Sequence, residues 1–307
     1  MQPASASTGS VATVPGGDLV SRATRSAGAG DVPVEVRESI VGLSLAAGGA
    51  NVIMQLARLP VGRGVAASTV ESGRVDRHPI KRLRTTAAFL LIAMLGTDEE
   101  RAELRRQIDR VHAAVRSGPD DPVAYDAFDP ELQLWVAACL YKGLEDVHRI
   151  FWPSTDPRQL DDVLYPHAKR LGTTLQVTDD MWPADRDAFE DYWQSGLARV
   201  HMDAVTRAYL RGIADLSFVV APLGAVGRPL GRLLRPVGEL MTGGFLPPVF
   251  RDELGLPWDD RRQRRFDRTI GASAAVARRL PRPLREFPLN LYLRDTQRRL
   301  RTGRPVI

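Results

Sequence analysis

The sequence predicts an all-α protein built as a single multi-helix domain, and three observations support this prediction. Strict alternation of apolar and polar residues, which is typical of half-buried strands, is nearly absent from the 307 residues. Apolar residues recur instead at helical spacing along the chain. Residues that begin or end helices separate these periodic segments. The length suits one large domain or two small ones, and we favour one.

The N-terminal residues 1–32 are expected to form a flexible tail in front of a helical domain at 33–307. The first part of this tail is small, polar and rich in Gly, Ser and Ala. It has neither a basic start followed by an apolar run nor a pair of adjacent arginines, so it does not read as an export signal. The lone Cys139 excludes an internal disulfide framework and fits a reducing compartment. We therefore expect a cytoplasmic protein.

An uncharged stretch at 39–57, SIVGLSLAAGGANVIMQLA, is long enough to be considered as a membrane span. Gly48 and Gly49, followed by Asn51 and Gln55, interrupt it and would leave polar groups and a broken helix in lipid. Two short buried helices are therefore expected here, at 34–47 and 50–58.

Capping residues delimit the next helices. Thr97 and Glu100 have the spacing of a capping box, which predicts a helix that runs to about Arg116. Asp129 as N-cap and Pro130 at the first helical position predict a helix through about Arg149. Apolar periodicity predicts further helices at 79–95, 157–171, 183–196, 200–214 and 260–280.

Two overlapping segments in the last third of the chain are less regular. The stretch 222–257 is rich in Pro and Gly and is expected to be a pocket-covering loop or a weakly ordered connection. The apolar segment 216–227, LSFVVAPLGAVG, is too short to span a membrane and contains Pro222. We expect 216–227 either to make a peripheral membrane contact or to cover a pocket.

The charge pattern does not indicate a nucleic-acid partner. The net charge is +5, and all basic residues except Lys81, Lys142 and Lys169 are arginines. The arginines are dispersed among the 37 carboxylates, apart from short runs such as RRQRR at 261–265. So strong a preference for Arg over Lys is typical of a GC-rich coding background, and we expect no binding to nucleic acid.

His112 is the first candidate functional residue. In the helix predicted from residue 98, Leu104, Ile108 and Val111 form an apolar stripe, and His112 falls within it, four residues after Ile108. An imidazole that points into a core must find hydrogen-bond partners or bind something. The position fits both a satisfied core histidine and a ligand-binding one.

Arg82 and Thr86 form the second candidate. They are four residues apart and share a helix face that continues through Phe89, Leu90 and Ala93. A threonine on such a face can bond the carbonyl one turn back, and an arginine can reach solvent past its own stem. The alternative is that the guanidinium and the hydroxyl together face a bound polar group.

Other site motifs are missing from the sequence. Zinc-type spacings such as H-E-x-x-H and C-x-x-C do not occur, and neither do G-x-S-x-G, G-x-G-x-x-G or a P-loop. Cys139, in LWVAACLYKGL, is interpreted as a buried core thiol and not as a haem thiolate. The remaining histidines stand apart, without carboxylates at fixed offsets: His78, His148, His167 and His201.

Five segments together resemble a known family. In the order and spacing found here, they are similar to the haem-b proteins that include bacterial latex-clearing rubber oxygenases and the fungal oxygenase that cleaves a farnesyl chain during mycophenolic acid biosynthesis. The similarity covers roughly residues 35–210. The segments are NVIMQLARLPVGRGVAAST at 51–69, RLRTT at 82–86, LGT at 95–97, IDRVHAAV at 108–115 and YDAFDPELQLWV at 125–136.

The resemblance implies a helical domain with globin-like features around one haem b. It places His112 as the proximal iron ligand, and Arg82 and Thr86 as the family's R-x-x-x-T pair on the distal side. The resemblance makes Arg82 and Thr86 cofactor-binding and catalytic residues. Arg82 would donate a charge-assisted hydrogen bond, and Thr86 would donate a neutral one. Thr86 would orient or stabilise, since a hydroxyl is a poor base. The second ring nitrogen of His112 would also need a partner, which the sequence does not reveal.

Two departures from the family pattern argue against cleavage of polyisoprene. Rubber oxygenases have a lysine directly before the pocket threonine, where this chain has Thr85, and a proposed catalytic glutamate that has no match here. The resemblance therefore predicts an oxygenase or peroxygenase-like enzyme that uses dioxygen or peroxide on another apolar small molecule, such as an unsaturated lipid or a terpenoid chain. The alternatives are a haem sensor or carrier without turnover, and a helical scaffold that binds no haem.

Overall fold

A computed structural model of the chain describes residues 32–66 and 78–307, apart from positions 155, 157 and 159 and the side chains of 222, 225 and 226. The described residues contain helices and no strand, with one isolated antiparallel bridge between Arg116 and Asp126. The all-α prediction is confirmed. The predicted tail lies outside the described residues, except for Val32.

The first half of the described chain contains six helices and one 3-10 turn. They are α1 (Val34–Glu38), the 3-10 turn Gly42–Ala47, α2 (Gly48–Leu56), α3 (Leu59–Ala66), α4 (Pro79–Leu95), α5 (Asp98–His112) and α6 (Pro130–Phe151).

The second half alternates short and long helices. They are the π turn Leu160–Leu164, α7 (Tyr165–Ala168), α8 (Arg170–Thr173), α9 (Arg186–Leu197), α10 (Ala204–Ala214), α11 (Ser217–Val220), the 3-10 turn Ala221–Leu223, α12 (Gly224–Phe245), α13 (Pro248–Leu254), α14 (Asp260–Arg278), α15 (Arg282–Arg285) and α16 (Leu289–Arg301).

Helix starts agree with the capping residues of the sequence. The Thr97 hydroxyl accepts from the Glu100 N–H at 3.2 Å, and the Glu100 carboxylate accepts from the Thr97 N–H at 3.2 Å, which confirms the capping box. The Asp129 carboxylate accepts from the Glu131 N–H at 2.8 Å, and Pro130 is the first residue of α6. The bounds of α4 are those predicted.

The predicted end of α5 at about Arg116 is wrong, because the helix ends at His112. The residues that follow pair with a returning loop instead of continuing the helix. The Ser117 N–H donates to the Tyr125 carbonyl at 2.8 Å, and the Ala127 N–H donates to the Val115 carbonyl at 2.9 Å. These bonds take up backbone groups that a longer helix would have used.

The expectation of a loop or weakly ordered connection at 222–257 is also wrong, since most of this stretch forms α12 and α13. Pro229 and Pro236 lie inside α12, and both are exposed, so water can bond the carbonyls that lack an N–H partner. Glycines bring the helix close to its neighbours: a Cβ on Gly243 would lie 2.5 Å from the Trp258 ring. Tertiary packing therefore stabilises a helix whose residues have low helix propensity.

Two other predicted helices are divided into shorter elements in the structure. The predicted helix 34–47 is interrupted after Glu38, and the predicted helix 157–171 consists of the π turn followed by two short helices. Helices α3 and α16 were not predicted. Of the two short buried helices expected in the stretch 39–57, the second is confirmed as α2, whereas the first is here a 3-10 turn, Gly42–Ala47, in which only Ala47 is buried. Among the described helices, none combines the length and apolar character needed to cross a bilayer.

The main core surrounds α6. Trp135 of α6 stacks on Trp193 of α9 with ring centroids 5.2 Å apart, and its Nε1–H donates to the Met54 carbonyl of α2 at 3.2 Å. Cys139 is fully buried, and burial raises the pKa of its thiol, which confirms a core thiol. The core thus fixes α2, α6 and α9 relative to one another.

Two smaller apolar clusters join α16 to α4 and α5. One contains Ala87 and Leu91 of α4 with Leu289 of α16. The other joins Ile92 of α4, Leu104 and Ile108 of α5, and Leu300 of α16. Since Ala87 and Leu91 lie on the opposite side of α4 from Arg82 and Thr86, α16 supports α4 from behind the candidate site.

Candidate functional site

His112 is the last residue of α5 and is partly buried. Its Nδ1 is buried and has no hydrogen-bond partner among the described residues. The Phe128 ring meets the imidazole edge to face, with centroids 6.3 Å apart. Burial lowers the pKa of His112, and the Arg82 charge lowers it further, while Asp109 partly opposes them. The imidazole is therefore neutral at neutral pH, with a lone pair available.

The loop that carries Phe128 is fixed by several hydrogen bonds. The Asp126 carboxylate accepts from the Phe128 N–H at 2.8 Å. The Gln133 side chain of α6 donates to the Ala127 carbonyl at 2.7 Å. These bonds hold Phe128 against the imidazole and so limit rotation of the ring.

A chain of amides fixes the last turn of α5 itself. The Gln176 side chain donates to the Asp109 carboxylate at 2.8 Å, one turn before His112. The Gln176 N–H donates to the Gln133 side-chain oxygen at 2.8 Å, and the two amide side chains are hydrogen-bonded to each other. Asp109, Gln133 and Gln176 thus connect α5 to α6 and to the segment after α8.

Arg82 lies in the first turn of α4 and is partly buried. Its Nε is buried and has no partner among the described residues. Burial lowers the pKa of Arg82, and the Tyr209 phenol of α10 opposes this. Since the Arg82 charge also acts on His112, the guanidinium is within electrostatic range of both Tyr209 and the imidazole. The charge of Arg82 on α4 thus acts on the imidazole of His112 on α5.

Thr86 follows Arg82 by one helical turn and is partly buried. A threonine in a helix can donate its hydroxyl to a carbonyl of the preceding turn. Here Thr85 makes such a bond and Thr86 does not, because it is the Thr85 hydroxyl that donates to the Arg82 carbonyl at 3.1 Å. The Thr86 hydroxyl makes no hydrogen bond to any residue that the structure describes. Between Thr86 and His112, both of which the structure describes, there is no hydrogen bond.

Buried polar atoms without partners are rare in folded proteins, because each loses the hydrogen bonds that water would provide. Two of the three predicted site residues carry such an atom, namely Nε of Arg82 and Nδ1 of His112. One atom is a donor, and the other belongs to a neutral ring that can donate or accept. Arg82 and His112 therefore fit a bound group that has an acidic part, to which Arg82 can donate, and an atom that the His112 imidazole can bind.

Comparison with known proteins decides the family. A family model described as "ER-bound oxygenase mpaB/B'/Rubber oxygenase, catalytic domain" matches residues 39–275, which is most of the chain and includes Arg82, Thr86 and His112. The chain belongs to this oxygenase family. The resemblance identified from the five sequence segments is thus confirmed.

Two curated relatives are similar over nearly their whole length. One is from Mycobacterium tuberculosis and the other from Mycobacterium bovis, and each is named an uncharacterized protein. Both are 45% identical to this chain over 258 residues, which cover 84% of this chain and 98% of each relative. No solved structure matches the chain.

The structure adds site residues to this member of the mpaB/rubber oxygenase family that the sequence reasoning missed. Phe128 lies in YDAFDPELQLWV, one of the segments that indicated the family, but only the folded loop shows its contact with His112. Tyr209 carried no signal beyond its place in an apolar helical stripe, and it approaches Arg82 only when α10 packs beside α3.

The other histidines have different surroundings. The His167 ring bonds the Met94 carbonyl at 2.7 Å, and the His148 Nδ1 bonds the Ser39 hydroxyl at 2.8 Å, although its Nε2 is buried and unpartnered. His78 and His201 are exposed. Within the described ranges, no three His, Cys, Asp or Glu side chains cluster as metal ligands.

Proposed function

We propose that this protein is a haem-b-dependent oxidoreductase, an oxygenase or peroxygenase-like enzyme that acts on an apolar small molecule such as an unsaturated lipid or a terpenoid chain. The observation that carries the proposal is the pair of buried, unpartnered polar atoms on Arg82 of α4 and His112 of α5, together with the effect of the Arg82 charge on the imidazole. Membership of an oxygenase family supports the type of chemistry.

His112 would hold the iron. A ligating imidazole must be neutral, and burial keeps it so by lowering the pKa of His112. Arg82 would donate hydrogen bonds to an acidic group of the cofactor, since its positive charge is buried and its Nε lacks a partner. A bound haem with one histidine ligand supplies an open iron position at which dioxygen or peroxide can react.

The other side chains prepare the site. The Thr86 hydroxyl, which bonds no described residue, would donate a neutral hydrogen bond and so orient a polar atom beside the cofactor. Thr85 cannot supply a second donor, because its hydroxyl is bonded to the Arg82 carbonyl. Phe128 contacts the imidazole edge to face and would limit the orientations that the ring can take.

An apolar substrate is supported by the face of α4 that Arg82 and Thr86 share, which continues through Phe89, Leu90 and Ala93. Apolar side chains next to a buried cation favour a ligand that is mostly apolar. We expect such a substrate to lie along this face.

A haemin titration tests the cofactor. The wild-type protein is expected to bind one haemin with a shifted Soret band, and His112→Gly is expected to lose this band while its circular dichroism stays helical. Imidazole added to His112→Gly should restore the band by occupying the space of the missing ring. His201→Ala, which changes an exposed histidine, is the matched control and should bind haemin like the wild type. A His112→Gly protein with an unchanged Soret band would refute the proposal.

Turnover is tested separately. Haem-loaded protein is mixed with unsaturated lipids or terpenoids, and oxygen or peroxide consumption is measured together with product masses. Consumption that depends on both haem and substrate supports an enzyme. Haem binding without consumption across these substrates would indicate a sensor or carrier, and the enzyme proposal would then be wrong.

A further inference from the structure

The first two thirds of α12 have an uncovered apolar face. Leu233 and Val237, one turn apart, are 73% and 52% exposed. Pro229 and Pro236 are exposed on the same side of the helix. The opposite side is buried at Gly227 and Gly238, so the helix lies on the protein with an apolar surface outward.

The preceding short elements extend this surface. Val219 of α11 and Leu223 of the 3-10 turn are 53% and 52% exposed. Leu216, which has a left-handed backbone with φ of 60°, packs against Gly238 and joins α11 to α12. We call Val219, Leu223, Leu233 and Val237 the apolar patch.

Arginines flank the apolar patch on one side of α12. Arg228, Arg232 and Arg235 line a groove of about 710 Å³ between α11 and α12. Arg235 is paired with Glu239 at 2.7 Å, whereas Arg228 and Arg232 form no ion pair with the described residues. The sequence has no Asp or Glu from 216 to 238. The groove also contains Asp215, whose carboxylate accepts from the Ser217 N–H at 2.9 Å.

We propose that α11 and the first two thirds of α12 dock on the surface of an anionic lipid bilayer. The apolar patch would enter the region between headgroups and acyl chains, and the arginine groove would receive lipid phosphates. An outward apolar face with flanking arginines, and with no Asp or Glu between Asp215 and Glu239, is the pattern of a helix that lies in a membrane interface. The proposed docking region includes the segment 216–227. The sequence alone allowed two roles for this segment, a membrane contact or a pocket cover.

Charge favours a bilayer over a second copy of the chain. In a twofold dimer through this face, the same three arginines would approach each other across the interface and repel. An anionic bilayer offers phosphates to all of them at once, and each cation near such a surface strengthens binding about fivefold.

Vesicle co-sedimentation tests the proposal. The full chain is mixed with vesicles of phosphatidylcholine alone and with vesicles that contain phosphatidylglycerol, at low and high salt. We expect binding to the anionic vesicles only, and weaker binding at high salt. Inorganic phosphate at millimolar concentration should not compete, because it lacks the apolar part of the contact.

Two variants locate the contact. Arg228→Gln with Arg232→Gln is expected to weaken binding about thirtyfold, and Leu233→Ser with Val237→Ser is expected to reduce it at least tenfold. The matched controls change exposed residues of α14: Arg264→Gln with Arg265→Gln, and Val276→Ser. The controls should bind vesicles like the wild type.

Three results would overturn the proposal. They are equal binding to neutral and anionic vesicles, equal losses in the α14 controls, and a concentration-dependent dimer that the Leu233→Ser and Val237→Ser changes dissolve. None of these measurements involves haem, so they are independent of the proposed enzymatic function.

Discussion

Thr85 and Thr86 are neighbours on α4 with different surroundings. The Thr85 side chain is buried and its hydroxyl is bonded to the backbone, whereas the Thr86 hydroxyl makes no bond to a described residue. Two residues of one type thus differ in whether their hydroxyl is available to a ligand. The pair provides a variant and its control at adjacent positions.

Thr86→Val is expected to leave haemin binding unchanged and to lower the rate of substrate oxidation at least tenfold. The physical reason is the loss of one hydrogen-bond donor while the side-chain volume is kept. Thr85→Val should keep the oxidation rate and lose roughly 1 kcal/mol of unfolding free energy at most, because it removes one hydrogen bond to a helix carbonyl. Equal rates in Thr86→Val and the wild type would remove Thr86 from the mechanism.

Asp146 of α6 is a carboxylate whose charged form is disfavoured by burial. It lines a cavity of about 410 Å³ with Arg149, Arg251, Phe245 and Phe266. Burial raises the pKa of Asp146 to about 6, and the nearby Glu145 adds to this, while Lys142 and Arg149 oppose it. A raised pKa means that the folded state holds the proton more tightly than the unfolded state. The folded state is therefore penalised when pH rises through 6.

Asp146→Asn is expected to stabilise the protein by about 1–2 kcal/mol at pH 8, since an amide carries no charge to bury. The gain should shrink as pH falls through 6 and should vanish near pH 4, where the native carboxyl is protonated. Urea unfolding at several pH values measures it. Asp162→Asn, at an exposed carboxylate, should change the unfolding free energy little at any pH. A gain that does not depend on pH would contradict the assignment.

Glycines in α3 set the distance between this helix and its neighbours. A Cβ on Gly62 would lie 2.7 Å from Cγ2 of Thr206 in α10 and would collide with the Leu56 carbonyl. Arg63 forms an ion pair with Asp203, the N-cap residue of α10. The position of α3 thus determines the position of α10, the helix that carries Tyr209.

Gly62→Ala is expected to destabilise the protein by roughly 1–3 kcal/mol, because the added methyl group forces α3 and α10 apart. Gly48→Ala is the control, because a Cβ at Gly48 meets nothing within 4 Å and the residue is helical. That control should gain about 0.4–1 kcal/mol. Thermal unfolding compares the two, and a stabilised Gly62→Ala would contradict the packing argument.

Over the whole molecule, the sequence predicts best where local chemistry alone decides the structure. The capping box at Thr97 and the Asp129-Pro130 start depend on residues within one turn, and both are confirmed. Helix α12 depends on contacts with distant residues such as Trp258 and Phe266, so its Pro and Gly content misled the prediction. A segment of low intrinsic helicity becomes helical when its glycines allow close packing.

In the candidate site, too, the sequence indicated the local features but not those that depend on tertiary contacts. Helical spacing indicated that Arg82 and Thr86 share a face and that His112 lies on an apolar stripe, and the family segments connected them. The electrostatic effect of Arg82 on His112 is a tertiary property, as are the contact of Phe128 with His112 and the effect of Tyr209 on Arg82. The haem and the globin-like arrangement around it remain predictions.

The support that α16 gives to α4 has a consequence for biosynthesis. The ribosome makes α4 about two hundred residues before α16, so the helix that carries Arg82 and Thr86 emerges well before its packing partner. Until Leu289 has been made, it cannot cover the surface of α4 formed by Ala87 and Leu91. A nascent chain that stops short of α16 would therefore leave this apolar surface exposed to solvent.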